Sequence, residues 1–299
     1  MKNKIEYYYD IMNINIHEKH GDYYFIYNNK QYMFFVCNRD IKELEAIYVL
    51  QHNLTKYHKI ILNRNKNVVT IINNKNYLLI EIHDYNESTI TIKDIIEAYK
   101  INNQREITIL YRNDWYTLWI KKVDYILYQR KHLSKQYLIL DEVLDYFLGL
   151  AENAISYIND TNSKAKKDER DELVVSHRRL SSIYKNDYYN IKDIIIDHPT
   201  RDITEYLKYL FYTGEFNYNS IDQIINSLDL SNYGFRLLFG RMLFPTNFLD
   251  LYERIINSKY KEDNIKYLIA KIYDYEKYLK LIYIIINKKT KIPNVEWLT

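Results

Sequence analysis

Glycine, proline and cysteine are scarce in this 299-residue chain, at five, three and one. The lone Cys37 excludes a disulfide framework and a cysteine-based metal site. The glycines (Gly21, Gly149, Gly214, Gly234 and Gly240) are dispersed, so there is no Gly-rich loop to bring backbone close against a triphosphate. Long apolar runs are missing too. The longest near the C-terminus, Tyr278 to Ile286, contains Lys280 and falls far short of the roughly 20 residues of a membrane span. No apolar stretch follows Met1-Lys2-Asn3-Lys4-Ile5-Glu6, so no secretory signal is expected and synthesis is expected in the cytoplasm. Neither charge sign prevails. A net charge of +3 is too small for a nucleic-acid footprint, and the eight histidines lack the spacing of a zinc site.

What is abundant is tyrosine, 34 residues, beside much Ile, Asn and Lys. An AT-rich genome explains that mixture, and a surface of oxidisable phenols explains it as well; composition alone does not separate them. The length suffices for two lobes, each with its own core.

The first hundred residues read as strands with one helix. Tyr23 to Tyr27 and Gln31 to Val36 flank Asn28-Asn29-Lys30 as a β-hairpin. Asp40 is placed to cap a helix from about Ile41 to Leu54, with Leu44, Ile47, Tyr48 and Leu54 on one face. Two more strands are expected, Asn67 to Ile72 and Tyr77 to Ile82. From Ile92 helical patterns take over: a short helix from Ile92 to Tyr99, a longer one from Trp115 to His132 with a stripe of Trp115, Leu118, Trp119, Val123 and Ile126, and a third from Leu138 to Ile158. Asn159 to Glu172 reads as a solvated, charge-dense loop. The boundary falls near 85 to 90, giving a unit 1–88 and a mostly helical unit 89–299.

In the middle, Leu173 to Ser176 and Ile194 to Ile196 read as short strands. Around them stand Ser176-His177-Arg178-Arg179 and Asp197-His198-Pro199-Thr200-Arg201-Asp202. Spacing alone says only that two short strands carry charged residues near their ends. Together with Tyr146-Phe147-Leu148-Gly149-Leu150-Ala151-Glu152-Asn153-Ala154-Ile155 and Trp115-Tyr116-Thr117-Leu118-Trp119, these strips resemble the YutH-type branch of the CotS spore-coat family, whose members are similar in fold to aminoglycoside and choline kinases. The resemblance covers about residues 20 to 290. It implies an α+β, protein-kinase-like two-lobe fold: a small antiparallel-sheet N-lobe with one helix and a mostly helical C-lobe.

The resemblance also says which residues should do chemistry. A kinase needs a base, a β-strand Lys on the phosphates, a helix Glu holding that Lys, and carboxylate and Asn ligands for magnesium. His177 matches the catalytic-loop His, whose work is structural. Arg179 stands where the catalytic Asp belongs, and a guanidinium cannot accept a proton near neutral pH; losing a positioned base costs about 10²–10⁴ in rate. Tyr184 occupies the Asn position, with Asn186 out of register. Met33-Phe34-Phe35-Val36 replaces the strand that should carry the Lys, and Lys30 comes too early. Glu43 or Glu45 is the candidate helix Glu, with its lysine partner missing. Asp197 is either a residual metal ligand or a structural carboxylate paired with Arg178 or Arg179, and Asp202 is expected to buttress the loop. His198 reads as a packed loop histidine.

Three functions follow. The first is a non-catalytic, kinase-like scaffold or assembly factor of the spore coat, with no cofactor and with other coat proteins as partners. The second is a small-molecule phosphotransferase using Mg-ATP and an atypical acid such as Asp187 or Asp193. The third is a helical binding module unrelated to kinases. Oligomeric state is not legible.

Overall fold

The structure, a computed structural model, describes residues 1–298 apart from 84–86, 99, 101–104, 134–135, 181 and 258–259. Residues 85, 86 and Tyr99, which the sequence reading placed at the boundary and at the end of a short helix, lie outside the described residues. The chain forms two compact units, Met1–Tyr111 with Val174–Asp197, and Arg112–Leu173 with His198–Thr299.

The first unit opens with a helix that the sequence reading lacked, α1 (Lys2–Tyr9). Six strands follow: β1 (His17–Lys19), β2 (Asp22–Tyr27), β3 (Lys30–Val36), β4 (Lys59–Ile60), β5 (Thr70–Ile72) and β6 (Lys75–Ile82), with α2 (Ile41–Leu50) after β3. They make one antiparallel sheet in the order β1-β2-β3-β6-β4, β5 pairing with β6. Asn28 and Asn29 both take positive φ, as do Asn73 and Asn74, so each hairpin closes on a two-residue turn. Lys30 therefore starts β3 instead of sitting in the turn, and its ammonium reaches Glu81. Alternation puts Phe25, Tyr32, Phe34 and Leu79 on one face, which Ile5, Ile11 and Ile14 cover. Alpha-helical periodicity in α1 is weak, which is why it escaped notice; burial of Ile5 against the sheet holds it.

Asp40 caps α2 as expected, accepting from the amides of Lys42 and Glu43. The helix stops at Leu50, four residues early, because Gln51–Asn53 tightens into a 3₁₀ turn whose carbonyl end is capped by the Lys59 ammonium, bonded to the Gln51 and Leu54 oxygens. Leu44, Ile47 and Leu50 are its buried stripe. A short helix, α3 (Ile92–Ile96), comes next.

The second unit begins with α4 (Trp115–Leu133) and α5 (Leu138–Lys164). Trp119, Val123 and Ile126 are buried but Leu118 is not, since it lies about 100° round the helix from Trp119. Helix α5 runs six residues past Ile158 into the stretch read as loop, and Thr161 within it is fully buried, its hydroxyl bonded to Tyr157 O. After the second strip come α7 (Thr200–Thr213), α8 (Tyr218–Ser227), α9 (Asn232–Leu243), α10 (Thr246–Ile256), α11 (Lys266–Ala270) and α12 (Ile272–Lys289); α6 (Lys185–Tyr188) belongs to the first unit. Stacked pairs, Phe147 on Phe248 at 3.8 Å and Trp119 on Phe244 at 4.1 Å, join α5 to α10 and α4 to the turn after α9. No described helix is long and apolar enough to cross a membrane.

Candidate functional site

The two middle strips form an antiparallel hairpin, β7 (Val174–His177) and β8 (Ile194–Asp197), every residue buried. Its register sets His177 opposite Ile194 and Val174 opposite Asp197, and the Arg178 amide adds one more rung to Asp193 O at 3.0 Å. At about 3.3 Å per residue, Asp197 thus lies some 10 Å along the ladder from the rung that holds His177. Arg178 and Arg179 continue away from it. Arg178 bonds the Glu43 carboxylate, and Arg179 Nη1 donates to the Arg178 carbonyl at 3.0 Å. The structure brings Arg178 to Glu43. Asp197 is fully buried, and Asp202 is buried in the first turn of α7.

Of the two candidate helix glutamates, Glu43 is buried and Glu45 exposed. Where the sequence reading found the lysine partner missing, arginines bond Glu43. Arg39 Nε donates to Glu43 Oε2 at 2.7 Å, and the same oxygen receives Arg178. The remaining Arg39 nitrogens donate to the carbonyls of Lys192 (2.5 Å) and Ile194 (2.6 Å). One planar fork therefore joins α2 to the start of β8. Burial, and after it the Arg178 charge, pulls the Arg39 pKa below its ordinary value against the pull of Glu43. Sequence reading missed Arg39. The available signal was its place directly before the N-cap and four residues before Glu43, one helical turn.

His177 is buried between rings. Tyr57 stacks on it with centroids 5.8 Å apart, and Tyr188 lies 4.4 Å away. The connection from Arg178 to Asp193 is also held from the sheet side by His58. The Nδ1 of His58 accepts the His83 amide at 3.2 Å, so Nε2 carries the proton and donates it to Asn186 O at 3.0 Å. Burial pushes this imidazole from 6.5 down to about 4. In that window the unfolded chain binds a proton that the folded one refuses, so stability is full above 6.5 and falls away as the pH drops toward about 4. The loss amounts to about 3 kcal/mol. Urea midpoints of wild type and His58→Asn, compared at about pH 7 and about pH 4.5, are expected to converge on acidification as the wild type loses this contribution.

Two elements of the first unit bear on the phosphate contacts that the kinase resemblance implies. The β1–β2 connection is a two-residue turn, His20 and Gly21, both at positive φ and closed by the Lys19–Asp22 pair, so no loop exists there to fold over phosphates. Buried Phe35 stands in β3, with the Lys192 ammonium 5.1 Å above its ring. Among the described residues no group of three His, Cys, Asp or Glu side chains is arranged to hold a metal ion.

In the second unit the sequence reading overlooked a buried network. Asp171, within the presumed solvated loop, sits in a 3₁₀ turn and is buried. Its Oδ1 accepts from His198 Nε2 at 3.0 Å and from Ser231 Oγ at 2.7 Å, and its Oδ2 from the Asp168 amide at 2.8 Å. The Thr200 amide donates to His198 Nδ1, which fixes the proton on Nε2. The Gly234 amide donates to Ser231 Oγ, which leaves the hydroxyl proton for Asp171. A side chain at Gly234 would press on this carboxylate, its Cβ 3.3 Å from Asp171 Oδ1. Asp, His and Ser are all present, but serine and histidine both point at the carboxylate and not at each other, so no nucleophile is activated. His198 is the packed loop histidine that the sequence suggested.

The order of strands and helices is that of a kinase-like α+β fold, and solved structures share it. An aminoglycoside phosphotransferase from Alicyclobacillus acidocaldarius superposes with a TM-score of 0.60, at 10% identity over 95% of this chain and 94% of that one. Spectinomycin phosphotransferase APH(9)-Ia, in complex with ADP and spectinomycin, gives 0.54 at 13% identity over 96% and 97%. Residues 2–282 match the family described as spore coat putative kinase YutH, and the chain belongs to that family. The endospore coat-associated protein YutH of Bacillus subtilis (strain 168) is 27% identical over 206 residues, 62% of this chain. The match spans 61% of that relative's length.

Proposed function

We propose that this protein is a non-catalytic member of its family, a kinase-shaped scaffold or assembly factor that resides in the spore coat and binds other coat proteins. The observation that carries the reading is the occupation of Glu43. The helix carboxylate that would hold a phosphate-binding lysine is bonded by Arg39 and Arg178. Arg178 directly precedes Arg179, the residue standing where a base would be needed. The short His20-Gly21 turn and Phe35 support the same reading, since both remove contacts that a triphosphate requires.

Thermal unfolding with and without Mg-ATP tests it. A ligand that binds the native state at a hundred times its Kd raises stability by about 2.7 kcal/mol. The expected result is an unchanged midpoint up to millimolar Mg-ATP. A saturable rise would instead favour a phosphotransferase with atypical residues, and Asp187→Ala, Asp193→Ala and Asp197→Ala would then be compared for phosphate release.

A further inference from the structure

Helix α12 carries an aromatic pocket with a cationic rim. Phe211, Phe216, Tyr278 and Leu281 wall a hollow of ≈ 270 Å³, and Lys271 and Lys277, with Asp274 between them, stand at its edge. Phe211 lies 5.1 Å from Tyr278 and 5.6 Å from Phe216, centroid to centroid, so the wall is a packed aromatic cluster. Gly214, also on the lining, ends α7 in the left-handed conformation, and a Cβ there would meet nothing within 4 Å.

The two lysines are held by rings, not by acids. Lys271 Nζ lies 5.4 Å from the Phe211 centroid and 5.2 Å from that of Tyr267, and Lys277 Nζ lies 3.9 Å from that of Tyr273. Exposed Asp274 lies between them on the same helix, yet neither ammonium forms a salt bridge among the described residues. Farther along α12, Lys280 and Lys288 are also exposed, as are the acids Asp274 and, in the loop after α7, Glu215. The surface is therefore cationic around an apolar hollow sized for one large side chain and small for a cofactor. Carboxylates from outside would find two ammonium groups already positioned by cation–π contacts.

We propose that this face of α12 docks an acidic segment of a partner protein, which seats one aromatic or long aliphatic side chain in the pocket and sets carboxylates on Lys271 and Lys277. The anchor supplies desolvated area and the flanking acids supply register, the division of labour seen where a buried hot spot is rimmed by charge. The proposal gives the scaffold reading a partner chemistry and rests on that reading for its cellular meaning. The two fail separately, because stabilisation by Mg-ATP would leave peptide binding untouched.

The test is a selection from a random displayed-peptide library on the full chain, followed by fluorescence anisotropy with the enriched peptides. Enriched sequences are expected to carry acids around one aromatic residue or leucine. Binding is expected to weaken at least about tenfold in K271E/K277E and in Leu281→Trp, which fills the pocket. The single variant Lys277→Glu, at an exposed position, keeps the test decisive if a pocket variant misfolds; far-UV dichroism and urea midpoints report on that. Neutral or basic enriched sequences overturn the proposal, as do affinities equal in wild type and Lys277→Glu. A dimer in sedimentation equilibrium that Lys277→Glu dissolves would assign the face to a second copy of the chain. Binding to phosphatidylserine vesicles without peptide binding would assign it to a lipid surface.

Discussion

Replacing Glu43 with alanine is expected to cost about 3–5 kcal/mol of folding stability, the scale for stranding a buried charge. The Glu43 side chain is only 10% exposed and that of Arg39 3%. Removing the carboxylate leaves the Arg39 guanidinium buried beside the Arg178 charge, with two backbone carbonyls as its remaining acceptors. Arg178→Ala is the contrasting case. That side chain is 43% exposed, so water screens the pair and its loss is worth about 1 kcal/mol or less. The Glu43→Leu and Arg39→Met changes made together are expected to cost less than the sum of the two made singly, because together they strand neither charge of the buried Arg39–Glu43 pair. Urea denaturation of wild type and these five variants measures all of this. Equal losses for Glu43→Ala and Arg178→Ala would show that burial does not set the strength of the clasp.

Asp171→Ala is expected to be comparably damaging, by about 3 kcal/mol or more, since it removes the common acceptor of His198, Ser231 and the Asp168 amide from a buried site. Asp171→Asn keeps the shape but turns one acceptor into a donor, and the loss should be intermediate. The pH dependence has a definite sign. Burial pushes the Asp171 carboxyl up, but the bonds from His198, Ser231 and the Asp168 amide outweigh it and hold the group below its ordinary 3.8. Its contribution is present above the unfolded value and is lost as the pH falls through the lower folded one. Thermal midpoints of wild type should drop between about pH 5 and about pH 3 more steeply than those of Asp171→Asn. Parallel profiles would show that the carboxylate does not drive the acid loss.

Several elements were plain in the sequence because their signals are local. The asparagine-rich turns at Asn28-Asn29 and Asn73-Asn74, the Asp40 cap and the two short apolar strands, read as Leu173 to Ser176 and Ile194 to Ile196 and found to run one residue further, at 174–177 and 194–197, each rest on a few neighbouring residues whose chemistry admits few alternatives. Helix α1 was not plain, because a charged, tyrosine-rich octet becomes a stable helix only when Ile5 finds a sheet face to cover. Asp171 was hidden for the reverse reason. Its neighbours Lys166, Lys167, Asp168 and Glu169 make the segment look solvated, and only a histidine and a serine far along the chain show that one of its acids is interior.

The candidate site divides in the same way. Arg179 where the resemblance places a base, and Met33-Phe34-Phe35-Val36 where it places the lysine strand, are matters of residue identity, so the expectation of a non-catalytic protein was already legible in the order of amino acids. What fills Glu43 was not, because Arg39, Glu43 and Arg178 are brought together by the pairing of β7 with β8 and the placing of α2, over a separation of 135 residues. The tyrosines likewise waited for the fold. Tyr275 and Tyr278 are core residues whose hydroxyls bond carbonyls of Met242 and Leu207, while Tyr7, Tyr128 and Tyr273 face solvent. Side-chain chemistry and short-range backbone preference are properties of the chain as written. Burial, and with it the strength of every charge pair in this protein, exists only once distant segments have excluded water from one another.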